Sequence, residues 1–271
     1  MCSHILPFFI VYVPIYRASF TTMLFWPKHI VPELIELMDL LFDSLRSALL
    51  LLMSFDAELI EIVLVSLNVS FSATLIASII GIPGAFVIAY SSFPGKRLVL
   101  TGLNTLLALP TVVIGLLVYT FISRRGILGP LDLLYTQTAI IIGQVILIVP
   151  VIMTLTIAAI NRIDKRYRLT ALTLGASRNQ MALVILKEAR YGIFAAVIAA
   201  FGRVIAEIGI SMMLGGNAKG FTRTMTTAMA LEYDKGEFVL AVALGITLMT
   251  FAFVINMLFH LLQGRTGNDA V

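Results

Sequence analysis

The sequence predicts an all-α membrane protein. It has five core transmembrane helices, a short cytoplasmic helix between the third and fourth, and an N-terminal stretch with room for one extra helix. Three observations carry this. Of 271 residues, 59% are hydrophobic and 13% charged, with a mean hydropathy of +1.00; ordinary soluble domains hold about 45–50% apolar and about 25% charged residues. The charges are clustered, leaving uncharged runs at 62–95, 98–123, 133–161 and 238–264. Each exceeds the roughly 20 residues at about 1.5 Å that cross a hydrocarbon layer. The connectors between runs differ sharply in charge, as the positive-inside rule requires. A soluble enzyme, a nucleic-acid binder and a disordered chain are excluded together. The pI of 9.3 follows from cytoplasmic basic connectors and needs no nucleic acid. The single cysteine, Cys2, excludes an internal disulfide framework and a cysteine-rich metal site.

Residues 5–27 are apolar and aromatic but interrupted by Pro7, Pro14 and Arg17. A span, a surface segment and an upstream extension all fit them, and without a basic leading region they do not read as a cleaved signal peptide. Residues 28–61 carry Glu33, Glu36, Asp39, Asp43, Asp56, Glu58 and Glu61 against Lys28 and Arg46. Leu34, Leu37, Met38, Leu41, Leu45 and Leu49 recur there at helical spacing, which predicts an amphipathic leader. The first clear span covers about 60–91, longer than the hydrocarbon needs, and Pro83 within the run 81–84 offers a place to bend or break. A second span covers 98–121 with Pro110 near its middle, and 124–134 is a loop. A third covers 136–160 with Pro150 inside, a fourth 191–214 and a fifth 238–262. The predicted organisation is an N-terminal extension and leader at 1–57, a transmembrane domain at 58–262 and a tail at 263–271.

Orientation follows from residues 161–190, where Arg162, Lys165, Arg166, Arg168, Arg178, Lys187 and Arg190 face only Asp164 and Glu188. Placing this segment in the cytoplasm also places Lys96, Arg97 and the C-terminus there, and puts the acidic leader outside with the loops at 122–135 and 215–237. The expected location is the cell (inner) membrane, crossed several times.

Within the basic segment, TALTLGAS (170–177) reads as a short helix, a turn at Gly175 and the start of a second helix. An ordinary basic loop resting on lipid headgroups and a helix that enters a groove on a cytoplasmic partner both fit those residues. The string resembles the cytoplasmic coupling loop of ABC-importer permeases, whose consensus is Glu-Ala-Ala, three residues, then Gly. Ala171, Gly175 and Ala176 agree with it, whereas Thr170 replaces an alanine and Leu169 stands where the glutamate is expected. The resemblance implies that Thr170, Ala171, Leu174, Gly175, Ala176 and Ser177 couple the membrane subunit to a separate ATPase.

Residues 215–238 read on their own as an outward polar connector. Their sequence, GGNAKGFTRTMTTAMALEYDKGEF, nevertheless resembles the segment between the last two spans of tungstate permeases, as do 201–209 and 115–131. The likeness runs from about 40 to 262, and it implies a chain start near Met38, leaving 1–37 as an extension or a displaced start. It implies a homodimeric permease for an oxyanion, tungstate first, served by an ABC ATPase dimer and an extracytoplasmic solute-binding protein. Molybdate, sulfate and phosphate are the alternatives within the class, and an ion-coupled secondary carrier the alternative outside it. Asn217, Thr222, Arg223, Thr224 and Thr226 are candidates for a gate or anion path, because neutral donors pass an ion that a tight cationic site would retain. Arg124, Arg125 and Arg223 either face water or guide an anion or a binding protein.

Arg203 and Glu207 are the charged residues inside a span. At i and i+4 they share a helix face, as a structural pair or a gating one. The sequence holds no HExxH, GxSxG or Walker loop, and His4, His29 and His260 are scattered. No catalytic residue, metal site or cofactor is therefore expected in this chain, and ATP is expected on the partner subunit.

Overall fold

The computed structural model describes residues 56–264 and, before them, Phe42, Arg46, Ser47, Leu49, Leu50, Met53 and Ser54. The extra N-terminal helix, most of the leader and the tail lie outside the described residues. The chain divides into two units, Met1–Ser44 and Leu45–Val271, and the second contains everything below.

The first helix, α1, is Ala57–Tyr90. It starts where the Asp56 carboxylate accepts from the backbone N–H groups of Glu58 and Leu59 at 2.9 and 3.1 Å, a cap worth about 1 kcal/mol. Its 34 residues span about 51 Å. Ser66, Thr74 and Ser78 donate to carbonyls one turn back, so their hydroxyls enter an apolar bundle already paired. The helix continues through Pro83, so the anticipated bend site does not divide it. Its small residues Ala73, Ala77 and Gly81 are buried and let α4 approach.

The predicted second span is two helices, α2 (Lys96–Leu107) and α3 (Thr111–Ile122), bent by 100°. Pro110 is the N-cap residue of α3 and lacks the donor that would continue α2. A 3-10 turn, Gly129–Leu131, lies in the following loop. The loop is tied down where the Tyr135 N–H donates to the Leu214 carbonyl at 2.8 Å. α4, Gln137–Asn161, is the axis of the bundle: α1, α3 and the fourth span pack around Leu147, Ile148 and Ile152, all nearly inaccessible.

After the short α5 (Lys165–Thr173) comes α6, Arg178–Ile205. Its N-terminus has a capping box in which Ser177 and Gln180 each accept from the other's backbone N–H. The fourth span is also broken, by 58° between α6 and α7 (Gly209–Gly215). The stretch read as a polar connector contains a further helix, α8 (Met225–Lys235), and α9 (Phe238–Gly264) closes the bundle. Among the described residues, three helices are long and apolar enough to cross a membrane, or up to five spans if each bent pair counts as one. Leu64, Phe71, Leu75, Ile79, Leu116, Met249 and Phe253 are exposed on the outside, the surface expected of helices in lipid.

Candidate functional site

At the end of the bundle where α1 and α4 finish, α5 is held by one face only. Ala171 packs with Met181, Ile185 and Ala189 of α6 and with Ile160, and Phe86, Tyr90 and Ala176 lie against this cluster. The Tyr167 hydroxyl bonds to the Glu188 carboxylate, whose negative charge, more than the bond itself, raises the phenol above its usual value of 10.0. The rest of the helix points outward: Leu169, Leu172 and Leu174 are exposed, Leu174 by 81%. The turn that follows is a helix C-cap, with Gly175 at φ +78° and the N–H groups of Gly175 and Ala176 donating to the carbonyls of Leu172 and Ala171. The structure thus brings Thr170, Ala171, Leu174, Gly175, Ala176 and Ser177 into one protruding corner. A groove of about 370 Å³ runs beside it, lined by Arg166, Tyr167, Thr170, Ala171, Leu174 and Val184.

At the opposite end, Thr222 and Thr224–Thr227 are buried in a polar knot, while Gly216 and Ala218–Phe221 stay exposed. This corrects the expectation of a solvated loop. Thr222 donates to the Gly215 carbonyl at 2.6 Å and accepts from the Ala218 N–H at 3.0 Å. Thr224 caps α8 and shares hydrogen bonds with Thr226 and Thr227. Thr226 donates to the Glu207 carbonyl at 2.9 Å, and the Met225 N–H donates to Ser66 of α1 at 2.6 Å. Asn217 sits at φ +52° and donates to the Thr227 carbonyl, while its Oδ1 is buried and unpartnered. Asn217, Thr222, Arg223, Thr224 and Thr226 are therefore brought together, with the threonine hydroxyls engaged inside the subunit. Arg223 and Lys219 both reach Glu58 at the start of α1, at 3.4 and 2.7 Å. Two cations thus share one carboxylate that lies more than 160 positions earlier in the sequence.

Beside the knot, the loop between α3 and α4 opens a cavity of about 670 Å³. Tyr119, Ser123, Arg124, Arg125, Asp132 and Tyr135 line it, so the two arginines share one polar basin.

Arg203 and Glu207 do not form an ion pair among the described residues, contrary to the reading from their spacing. The physical reason is the break in the span: α6 stops at Ile205, so the regular turn that would bring i and i+4 together is absent. Glu207 is buried, its carboxylate accepts from the Ile210 N–H at 3.3 Å, and its carbonyl is taken by Thr226. It clamps the kink. Arg203 stands exposed on the other side. Sequence reasoning also missed Gln144, fully buried in α4, whose Nε2 lies 3.5 Å from Ser211 Oγ and whose Oε1 is unpartnered; its one signal was an amide within an apolar run.

A multi-pass helical bundle, broken in two of its spans and bearing one short helix at an end, is the architecture of an integral membrane protein. The chain belongs to the binding-protein-dependent transport system inner membrane component family, whose model matches residues 59–268. It is 38% identical over 226 residues to the tungstate uptake system permease protein TupB of Peptoclostridium acidaminophilum, covering 83% of this chain and 99% of that one. It is 37% identical to TupB of Campylobacter jejuni subsp. jejuni serotype O:2, over 83% and 95%. The molybdenum transport system permease protein ModB of Escherichia coli (strain K12) is 30% identical, over 62% and 77%. Among solved structures, a bacterial ABC transporter involved in the import of the acidic polysaccharide alginate superposes with a TM-score of 0.68 at 19% identity, over 91% of this chain and 95% of that one. The fold is shared with ABC transporter permeases.

Proposed function

We propose that this chain is the membrane-spanning permease subunit of an ATP-driven importer for an oxyanion, tungstate before molybdate, sulfate or phosphate. The observation that carries the reading is the 38% identity over 99% of the length of a tungstate uptake permease. The shape of α5 supports it physically. A short helix fixed by Ala171 and projecting Leu169 and Leu174 is a knob for a cleft, and a cytoplasmic ATPase is the partner that the family's transport cycle needs.

Two copies enclose a path along their twofold axis, since five spans make half of one. An ATPase subunit takes each α5 corner through Thr170, Ala171, Leu174, Gly175, Ala176 and Ser177, and a solute-binding protein delivers the anion at the opposite end. Closure of the ATPases on ATP draws the two corners together and opens the path outward, and hydrolysis reverses the motion. ATP chemistry belongs to the partner and the chain itself needs no metal or cofactor. The α5 end and the C-terminus are cytoplasmic, the side to which the basic 161–190 segment assigns them. Asn217, Thr222, Arg223, Thr224 and Thr226 brace the outer gate: through Thr226 and Met225 they tie the α6–α7 kink to α1.

The test is uptake by cells expressing this chain with an ATPase and a solute-binding protein from its own genome. Tungstate at submicromolar concentration is expected to accumulate, and excess sulfate or phosphate to compete poorly. Uptake displaced first by sulfate or phosphate overturns the tungstate assignment.

A further inference from the structure

Arg203 carries a positive charge that no described residue pairs. Among the described residues it makes neither an ion pair nor a hydrogen bond, and its sequence neighbour in acidity, Glu207, is spent on the kink. Its depth follows from two contacts between antiparallel helices. A Cβ on Gly192 of α6 would lie 2.6 Å from Ala159, and one on Gly143 of α4 would lie 2.6 Å from Ile210. Between these anchors, Ala200 and Val204 share a cluster with Leu147, Ile148 and Ile152, which sets Arg203 near the middle of Gln137–Asn161. A guanidinium stays charged at any accessible pH, and at mid-membrane depth it needs water, a counter-charge or an anion beside it. The face it occupies is otherwise bare. Ala199, Gly202 and Ala206, at the i−4, i−1 and i+3 positions around it, are all exposed, and a Cβ on Gly202 would meet nothing within 4 Å.

We propose that Arg203 lines the anion path at mid-membrane depth, where the guanidinium groups of two copies face each other across the twofold axis and offset the charge of a tetrahedral dianion. The inference rests on the oxyanion-importer reading and adds the residue that makes the low-dielectric part of the route passable to a double negative charge. Ala199, Gly202 and Ala206 present no side-chain donors. The ion is attracted by charge without being caged, so it leaves as readily as it enters.

The test uses the full chain with Cys2→Ser, so that Arg203→Cys supplies the one thiol, co-expressed with its ATPase and binding protein. Arg203→Gln and Arg203→Cys are expected to lower tungstate uptake at least tenfold while the subunits still co-purify. Aminoethyl methanethiosulfonate should label the introduced thiol from the aqueous phase and restore uptake by restoring a cation. The sulfonatoethyl reagent should label it and restore none, and tungstate should slow both reactions. Failure of either reagent to reach that thiol in the assembled complex, equal restoration by both, or undiminished uptake by Arg203→Gln overturns the proposal. If the cysteine variant does not assemble, Arg203→Lys decides: retained uptake supports the role of charge and lost uptake contradicts it. A wild-type complex that imports no oxyanion refutes the functional reading instead, and labelling of the Arg203→Cys variant still reports whether the position is in water.

Discussion

Gly175 separates coupling from folding more cleanly than any other position. Its φ of +78° lies in the left-handed region, and a Cβ built there meets nothing within 4 Å. Any side chain therefore fits the isolated subunit, and its penalty is conformational: roughly 1–2 kcal/mol for an ordinary L residue, with asparagine the most tolerant. That strain falls on one turn after the nine residues of α5 and leaves the bundle untouched. Gly175→Asn keeps the turn with little added bulk, whereas Gly175→Leu adds a branched side chain at the corner next to Leu174, itself 81% exposed. If the corner seats in an ATPase cleft, Leu should reduce binding-protein-stimulated ATP hydrolysis and uptake more than tenfold relative to Asn. Both variants should express to the same level and melt within a few degrees of each other. Equal transport by the two would refute docking through this corner, because Leu exceeds Asn there in both bulk and strain.

Gly143 tests the packing of α7 on α4. A Cβ there would fall 2.6 Å from both Ile210 Cγ2 and Leu214 Cδ1, so Gly143→Ala should cost about 1–3 kcal/mol, seen as a lowered melting temperature in detergent. Thr226→Val removes the donor to the Glu207 carbonyl and should lower stability by about 1–2 kcal/mol through the unsatisfied buried acceptor, with easier proteolysis between α7 and α8. Glu58→Gln takes away the charge shared by Lys219 and Arg223; limited proteolysis at 216–224 should quicken, and an unchanged rate would mean that the pairs do not hold the knot. Ultraviolet titration against Tyr167→Phe should show the Tyr167 phenolate forming only above the ordinary value of 10.0. Because that pKa is raised, the bond to Glu188 is fully present below the unfolded tyrosine pKa and disappears as pH rises through the folded one. The α5–α6 contact should therefore be indifferent to pH between about 6 and 9.

The spans were legible wherever hydrophobicity alone decides them: α1, α4 and α9 begin and end within a few residues of the uncharged runs. The short helix and turn at 165–177 were legible too, since a glycine after a short helix commonly marks a left-handed cap. The broken spans were less so. Pro110 marks a weak point, but whether the chain kinks slightly or turns by 100° depends on what packs beside it. The kink at 206–208 has no proline, and Glu207 sustains it through a local bond from Ile210 and a bond from Thr226 in a later segment. For the same reason Thr222, Thr224 and Thr226 read as hydroxyls facing water. Their partners, Gly215, Glu207 and one another, become visible only once the segment has folded against α1 and α7.

The most direct measurement is tungstate flux into proteoliposomes containing the complete complex, with ATP supplied on the ATPase side and binding protein on the other, in the presence of ionophores that collapse ion gradients. ATP-driven accumulation that persists with ionophore and stops without binding protein is the predicted result. Accumulation that follows an imposed ion gradient and ignores ATP would contradict it.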